Sequence, residues 1–236
     1  MSEAISVNQE VVQELREKIA TGCRILAKLE LSDYLGHVSA RVPGTDYVLI
    51  KARGLVVGNL LDMTPDKVVM VNMEGEMVDG DYRQPDEVVL HTEIFKKRPD
   101  VMSVVHTHQP ITTVFGDQNK KILPMQGVMA DVLRKDIPTY YSSRKVVAHE
   151  QGAEVADILG DSDVIHLKNH GVVTVGESVE QAVIRAIWLE HQAKLTLLGS
   201  ILGEPQGMSQ KELEQQRSDA GPIDGRWMYY KGLLGE

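Results

Sequence analysis

The sequence predicts an α/β protein folded as one layered domain across residues 1–236. Three observations lead there. Helical and strand-like periodicities alternate along the chain. No Pro-, Gly- or Ser-rich linker, internal repeat or low-complexity tract divides it. The 236 residues, 42% hydrophobic and 25% charged, have the composition and length of a chain that buries a sizeable core.

The elements follow in order. Val12, Leu15, Ile19, Cys23 and Leu26 recur at steps of three and four, which predicts a helix over residues 9–29. Cys23 is the only cysteine, so an intramolecular disulfide and a thiolate cluster are both excluded, and its place on the apolar face reads as a buried, inert thiol. Short β-rich runs follow at 47–51 and 68–72, punctuated by Gly44, Gly54, Gly58 and the turn at 73–76. Pro85 suits a first helical turn, which predicts a helix over 85–97, stopped by Arg98 and Pro99. Strands are expected at 101–107 and 164–168, with a helix over 142–159 between them, and a further strand at 172–175. Ser178 with Gln181 forms a capping box for a long helix reaching 198, and the polar tail carries a helix over 209–219.

A formal net charge of −9 repels phosphates, which argues against nucleic acid as a partner. The densest basic run, Lys96, Lys97 and Arg98, falls at a helix end, where cations suit the dipole. No apolar run approaches the roughly 20 residues that span a bilayer, and the acidic, polar start is unlike a secretory leader. The expectation is a cytoplasmic protein with no membrane partner.

The chemistry concentrates in histidines. His106 and His108 end a strongly apolar strand, and residues two apart project from the same face, so both imidazoles can converge on one point. His170 follows a second apolar strand and precedes Gly171, which would permit a sharp turn aiming His170 inward. Three neutral imidazoles that leave a position open are the donor set of a catalytic metal site. The plainer reading of an H-x-H pair is polar decoration of a strand end.

Taken together, Gly36-His37-Val38-Ser39, Glu87 to His91, Arg98 to His108 and Lys168 to Val173 resemble the class II aldolase/adducin family, with order and spacing that match from residue 9 to 198. The resemblance implies a three-layer fold with a central mixed, mainly antiparallel sheet between helices, in place of the parallel sheet that helix–strand alternation suggests. It implies homotetramers with active sites at subunit interfaces and one divalent metal ion per subunit, manganese or zinc, with iron and cobalt as further options. The metal ligands would be His106, His108, His170 and Glu87, with Glu87 also moving protons. On the residues alone, Glu87 reads as a helix-start acid like Asp86, and His91 as a packing residue or a support for the ligands.

The sequence departs from the sugar-phosphate members of that family. They carry Gly-Asn-x-Ser, a Thr-Pro-Ser-Gly-like turn and a Ser-Ser pair, where this chain has His37, the run Lys51-Ala52-Arg53-Gly54, and Pro85-Asp86. Asp86 would oppose a phosphate, whereas Arg53 can grip a carboxylate bidentately. This pattern resembles the branch that decarboxylates hydroxylated aromatic or heteroaromatic dicarboxylates, such as dihydroxyphthalate. It implies a carbon–carbon lyase for a small carboxylate substrate, with a metal-stabilised enolate. Arg53, Lys51 and Ser39 would bind substrate, and Glu87, His37 and Tyr229 would be catalytic. Tyr229 and Tyr230 are alternatively packing residues against a neighbouring subunit. An aldolase or epimerase acting on a hydroxy-keto acid or sugar phosphate, and an adducin-like module without catalysis, are the competing readings.

Overall fold

The computed structural model describes residues 8–218 and 222–235. Its helices are α1 (Gln9–Lys28), α2 (Gly54–Val57), α3 (Val88–Lys97), α4 (Pro110–Asp117), α5 (His149–Leu159), α6 (Val179–Leu202), α7 (Gln210–Ser218) and α8 (Ile223–Gly232). Its strands are β1 (His37–Arg41), β2 (Tyr47–Lys51), β3 (Val68–Asn72), β4 (Met77–Asp79), β5 (Ser103–Thr107), β6 (Thr139–Tyr140), β7 (Val164–Leu167) and β8 (Gly171–Gly176). The strands form one eight-stranded sheet in the order β4-β3-β2-β1-β5-β8-β7-β6. Every pairing is antiparallel except β6 with β7. The mixed, mainly antiparallel sheet is therefore present, and the simple alternation of helix and strand does not produce a parallel one.

Side-chain alternation assigns the two faces. His37 pairs with His106 and Ser39 with Val104, so these four share one face. That face is covered by α3 and α5, as the contact between Ser39 on β1 and His91 on α3 shows. The opposite face, which carries Thr174 and His166, lies under α6 and α4: the Thr174 hydroxyl donates to the Ala182 carbonyl of α6. Val104, Val105, Val172 and Val173, at the centre of the sheet, are fully buried, and each contributes roughly 1.5–3 kcal/mol by leaving water.

Several boundaries differ from the sequence expectation, each for a local reason. The second long helix begins at Val88, three residues later than expected, because residues 85–88 close a turn through the Val88 amide and the Pro85 carbonyl. The helix expected from 142 begins at His149. The preceding stretch gives its amides elsewhere: Val146 to Glu87, and Val147 and Ala148 to the Gln151 side chain. Strands β1, β4 and β6 and helices α2, α4 and α8 were not foreseen. Ser178 caps α6 as expected, while Gln181 reaches back to the Glu177 amide, one residue earlier than a capping box requires. In the tail, α7 occupies the expected place, and Asp219 lies outside the described residues. Cys23 is buried, and burial pushes its thiol up to about 12, which makes it unreactive near neutral pH. No described helix is long and apolar enough to cross a membrane.

Candidate metal centre

The register of the central strands brings the histidines together. His106 lies next to the end of the fully buried strand β5, His108 follows the strand, and His170 sits in the turn joining β7 to β8. The ring centroids of His106 and His108 are 4.9 Å apart, those of His106 and His170 4.9 Å, and those of His108 and His170 5.4 Å. One ligand atom from each lies within 4.8 Å of the others. Gly171 serves this convergence differently from the sequence reading. The left-handed residue of the turn is Asn169, at φ 54°. Gly171 instead allows close approach, since a Cβ there would stand 2.4 Å from the Thr107 carbonyl oxygen and 2.9 Å from the His108 ring.

The protonation pattern suits a cation. His106 Nδ1–H donates to the Val172 carbonyl at 3.1 Å, which leaves Nε2 bare. That Nε2 lies 3.1 Å from Nε2 of His108, so two ring nitrogens face each other at the point where the three imidazoles meet. Burial holds His106 well below the ordinary imidazole range. Burial also lowers His108, with the neighbouring His170 adding to it. Neutral rings present lone pairs to a metal at neutral pH. The donor set therefore fits a divalent ion.

Glu87 sits at the start of α3 but does not cap it. Its Oε1 accepts the Val146 N–H at 3.0 Å and lies 3.5 Å from His170 Nε2. Only 5% of the residue is exposed. Burial opposes its ionisation, yet the hydrogen bond with His170 and the charge interactions with His106 and His170 outweigh it and hold the carboxyl down to about 2. Glu87 also lies with His37 and His106 in a second group of converging ligand atoms. His37 faces His106 at 5.6 Å and His91 at 5.7 Å between ring centroids, with its Nδ1 buried and unpartnered among the described residues. Burial, then the charge of Lys51, drives the His37 imidazole well below its ordinary value.

Three expected site residues stand differently. Lys51 is fully buried and donates to the carbonyls of Tyr34 and Gly36, at 2.6 and 2.8 Å. It pins the loop that delivers His37 and is not free to hold a substrate. Ser39 is also fully buried; its hydroxyl donates to the Val104 carbonyl at 3.3 Å and accepts from His91 Nδ1 at 2.7 Å, so it orients His91 and does not face an open pocket. Tyr229 is 64% exposed on α8, which packs on α6 and α1, and its ring meets Tyr230. Within one chain it does not join the histidines. Arg53 is partly exposed and pairs with Asp86 at 3.1 Å, one residue from Glu87. Sequence reasoning missed the Val172 carbonyl and the Val146 amide, which fix His106 and Glu87 and carry no side-chain signature.

Comparison with known proteins settles the lineage. The family model described as the class II aldolase and adducin N-terminal domain matches residues 17–197. The chain belongs to this family. Among the curated relatives of this class II aldolase-family chain is the 3,4-dihydroxyphthalate decarboxylase of Arthrobacter keyseri, 33% identical over 192 residues, with 77% of each chain covered. The L-fuculose phosphate aldolase of Methanocaldococcus jannaschii is 33% identical over 168 residues, covering 71% of this chain and 86% of the relative. A solved aldolase II superfamily protein from Pseudomonas syringae superposes with a TM-score of 0.81 at 24% identity, covering 95% of this chain and 93% of that one. With decarboxylases and an aldolase as its named relatives, the chain is a metal-dependent lyase of this family.

Proposed function

We propose that the protein decarboxylates a small hydroxylated aromatic or heteroaromatic carboxylate. The observation that carries the reading is an arginine paired next to the metal-site acid in the chain: Arg53 is held by Asp86, the residue immediately before Glu87. A guanidinium can clasp a carboxylate bidentately, and its tie to Asp86 supports reading Arg53 as the substrate-carboxylate anchor. Asp86 brings a negative charge to the place where a phosphate-binding member would need hydroxyls. The 33% identity to a dihydroxyphthalate decarboxylase supports the same reading.

His106, His108, His170 and Glu87 would hold one divalent ion, manganese or zinc by preference, because imidazole and carboxylate donors accept either. Bound there, such an ion supplies Lewis acidity to the substrate oxygen on which negative charge collects. Arg53 anchors a second substrate carboxylate and orients the ring. As the carbon–carboxylate bond breaks, CO2 leaves and its bonding electrons remain on the ring carbon. The proton that Glu87 takes from the substrate hydroxyl is returned to that carbon, with the neutral ring of His37, close to His106, as the relay that accepts at one nitrogen and releases at the other. Glu87, held ionised, accepts the hydroxyl proton of the incoming substrate. Lys51 and Ser39 act by positioning His37 and His91. The protein folds as one domain and works as a cytoplasmic homotetramer, in which Tyr229 serves the site of a neighbouring copy.

A second reading rests on the fuculose phosphate aldolase relative at equal identity: aldol cleavage of a hydroxy-keto acid at the same site. Product analysis separates the two. The decarboxylase releases CO2 from dihydroxyphthalate-like substrates with no aldehyde fragment, and Arg53→Lys raises KM roughly tenfold with little change in kcat, as loss of a bidentate contact dictates. An aldehyde and a keto fragment without CO2 would overturn the decarboxylase assignment and leave the lyase standing.

A further inference from the structure

The far face of the sheet carries a second constellation that the reaction does not use. A cavity of about 610 Å³ opens between the C-terminal end of α4 and the chain that follows it, the stretch leading into β6, and the start of α7. Its walls are apolar at Phe115, Leu123, Ile137 and Leu213. Its rim is cationic, with Lys120, Lys121, Arg134 and Lys135 against a single acid, Asp136. In a chain of net charge −9 this is a local reversal of sign. Three of the cations are committed: Lys121 to Asp136, Arg134 to Asp163 and Lys135 to Asp161. Lys120 has no ion-pair partner among the described residues.

His166 also lines the cavity. It projects from β7 on the face opposite His106, is only 4% exposed, and its Nδ1 is buried without a partner among the described residues. A buried polar group left unsatisfied costs about 1–3 kcal/mol, so an imidazole kept in an otherwise apolar wall is a costly feature for packing alone. The volume lies within the roughly 300–1,000 Å³ of small-molecule sites, and the lining mixes apolar and polar side chains in about equal share.

We propose that this cavity is a binding site, separate from the metal centre, for a small organic anion with an aromatic or branched aliphatic body. Its acidic group is held by Lys120 at the rim, and its apolar body lies against Phe115, Leu123, Ile137 and Leu213, with His166 offering a hydrogen bond from the wall. The site is connected to the metal centre through α4. That helix starts two residues after His108, has its first amides fixed by Glu190, and presents Phe115 and Gly116 of its last turn to the cavity wall.

Fluorescence titration of the full chain with anilinonaphthalene sulfonate, compared with uncharged phenylnaphthylamine, tests the proposal. The expected result is one saturable sulfonate site, with the uncharged probe roughly tenfold weaker, as loss of one ion pair in a partly desolvated site dictates. Lys120→Glu should weaken the sulfonate by a further tenfold or so. Met208→Trp, at the partly exposed α7 wall, should abolish saturable binding by filling the space. His106→Ala should bind the probe as the parent does. Binding that ignores both Lys120→Glu and Met208→Trp, or that disappears in His106→Ala, would overturn the proposal, as would the absence of saturable binding. None of these outcomes depends on which reaction the metal centre performs.

Discussion

On one face of the sheet His37, His91 and His106 lie beside one another, with His108 and His170 at the strand ends. On the other face His166 stands alone beneath α4, so close to Gly116 that a Cβ there would come within 2.7 Å of its ring. Burial lowers the imidazoles of both faces: His91 and His166 each fall to about 4. Burial and neutrality therefore do not distinguish a metal ligand from a lone wall residue. Convergence does, and convergence is set by strand register and, for His106, by the Val172 carbonyl that orients its ring.

The largest effect should come from breaking that convergence. His106→Ala, His108→Ala and His170→Ala should each lower metal affinity more than a hundredfold or so, beyond the loss seen for residues that only support a ligand. His166→Gln should leave stoichiometric metal in place. Elemental analysis of purified variants decides, and metal retained by all three ligand variants would undo the assignment. A smaller effect is expected within the cluster. Glu87→Gln preserves shape but loses the proton acceptor, so kcat should drop by about 10²–10⁴, with KM nearly unchanged. Steady-state kinetics showing normal turnover would return Glu87 to a purely structural place at the start of α3.

The histidine cluster was legible because H-x-H at a strand end and a histidine after a second strand are side-chain signals with a geometric meaning. The sheet around it was only partly legible. Strands β2 and β3 read as apolar runs because both of their faces are buried, and their limits match the expectation at 47–51 and 68–72. Strand β1 did not, because its His37 and Ser39 turn toward the site and interrupt the apolar run of Val38 and Ala40. The setting of Lys51 differs from the expectation for the opposite reason. A lysine at a strand end reads as exposed, but here two carbonyls of the preceding loop satisfy its ammonium inside the core.

That buried cation yields the smallest and sharpest test. Burial lowers Lys51 from its ordinary 10.5 to about 8, with the charges of Cys23 and Asp33 opposing the shift. Between pH 8 and 10.5 the unfolded chain then holds the proton more tightly than the folded one, so this group makes stability rise with pH across that window. Cys23, raised to about 12, works in the other direction above pH 9. The stability difference between the parent and Lys51→Met should therefore grow in the parent's favour from pH 8 to 10.5. Denaturant midpoints at several pH values would show it, and a constant difference would mean that Lys51 keeps its ordinary proton affinity inside the fold.

The pairing of β5 with β8 has one further consequence. It joins His106 and His108 to His170 across more than sixty residues of chain, through the register of His106 with Val173 and Thr107 with Val172. A cut in the exposed turn after α4 would leave Glu87, His106 and His108 on one fragment and His170 on the other. Metal uptake by a mixture of the two pieces would then report their reassembly, so the centre can serve as an indicator of fragment complementation as well as a place of chemistry.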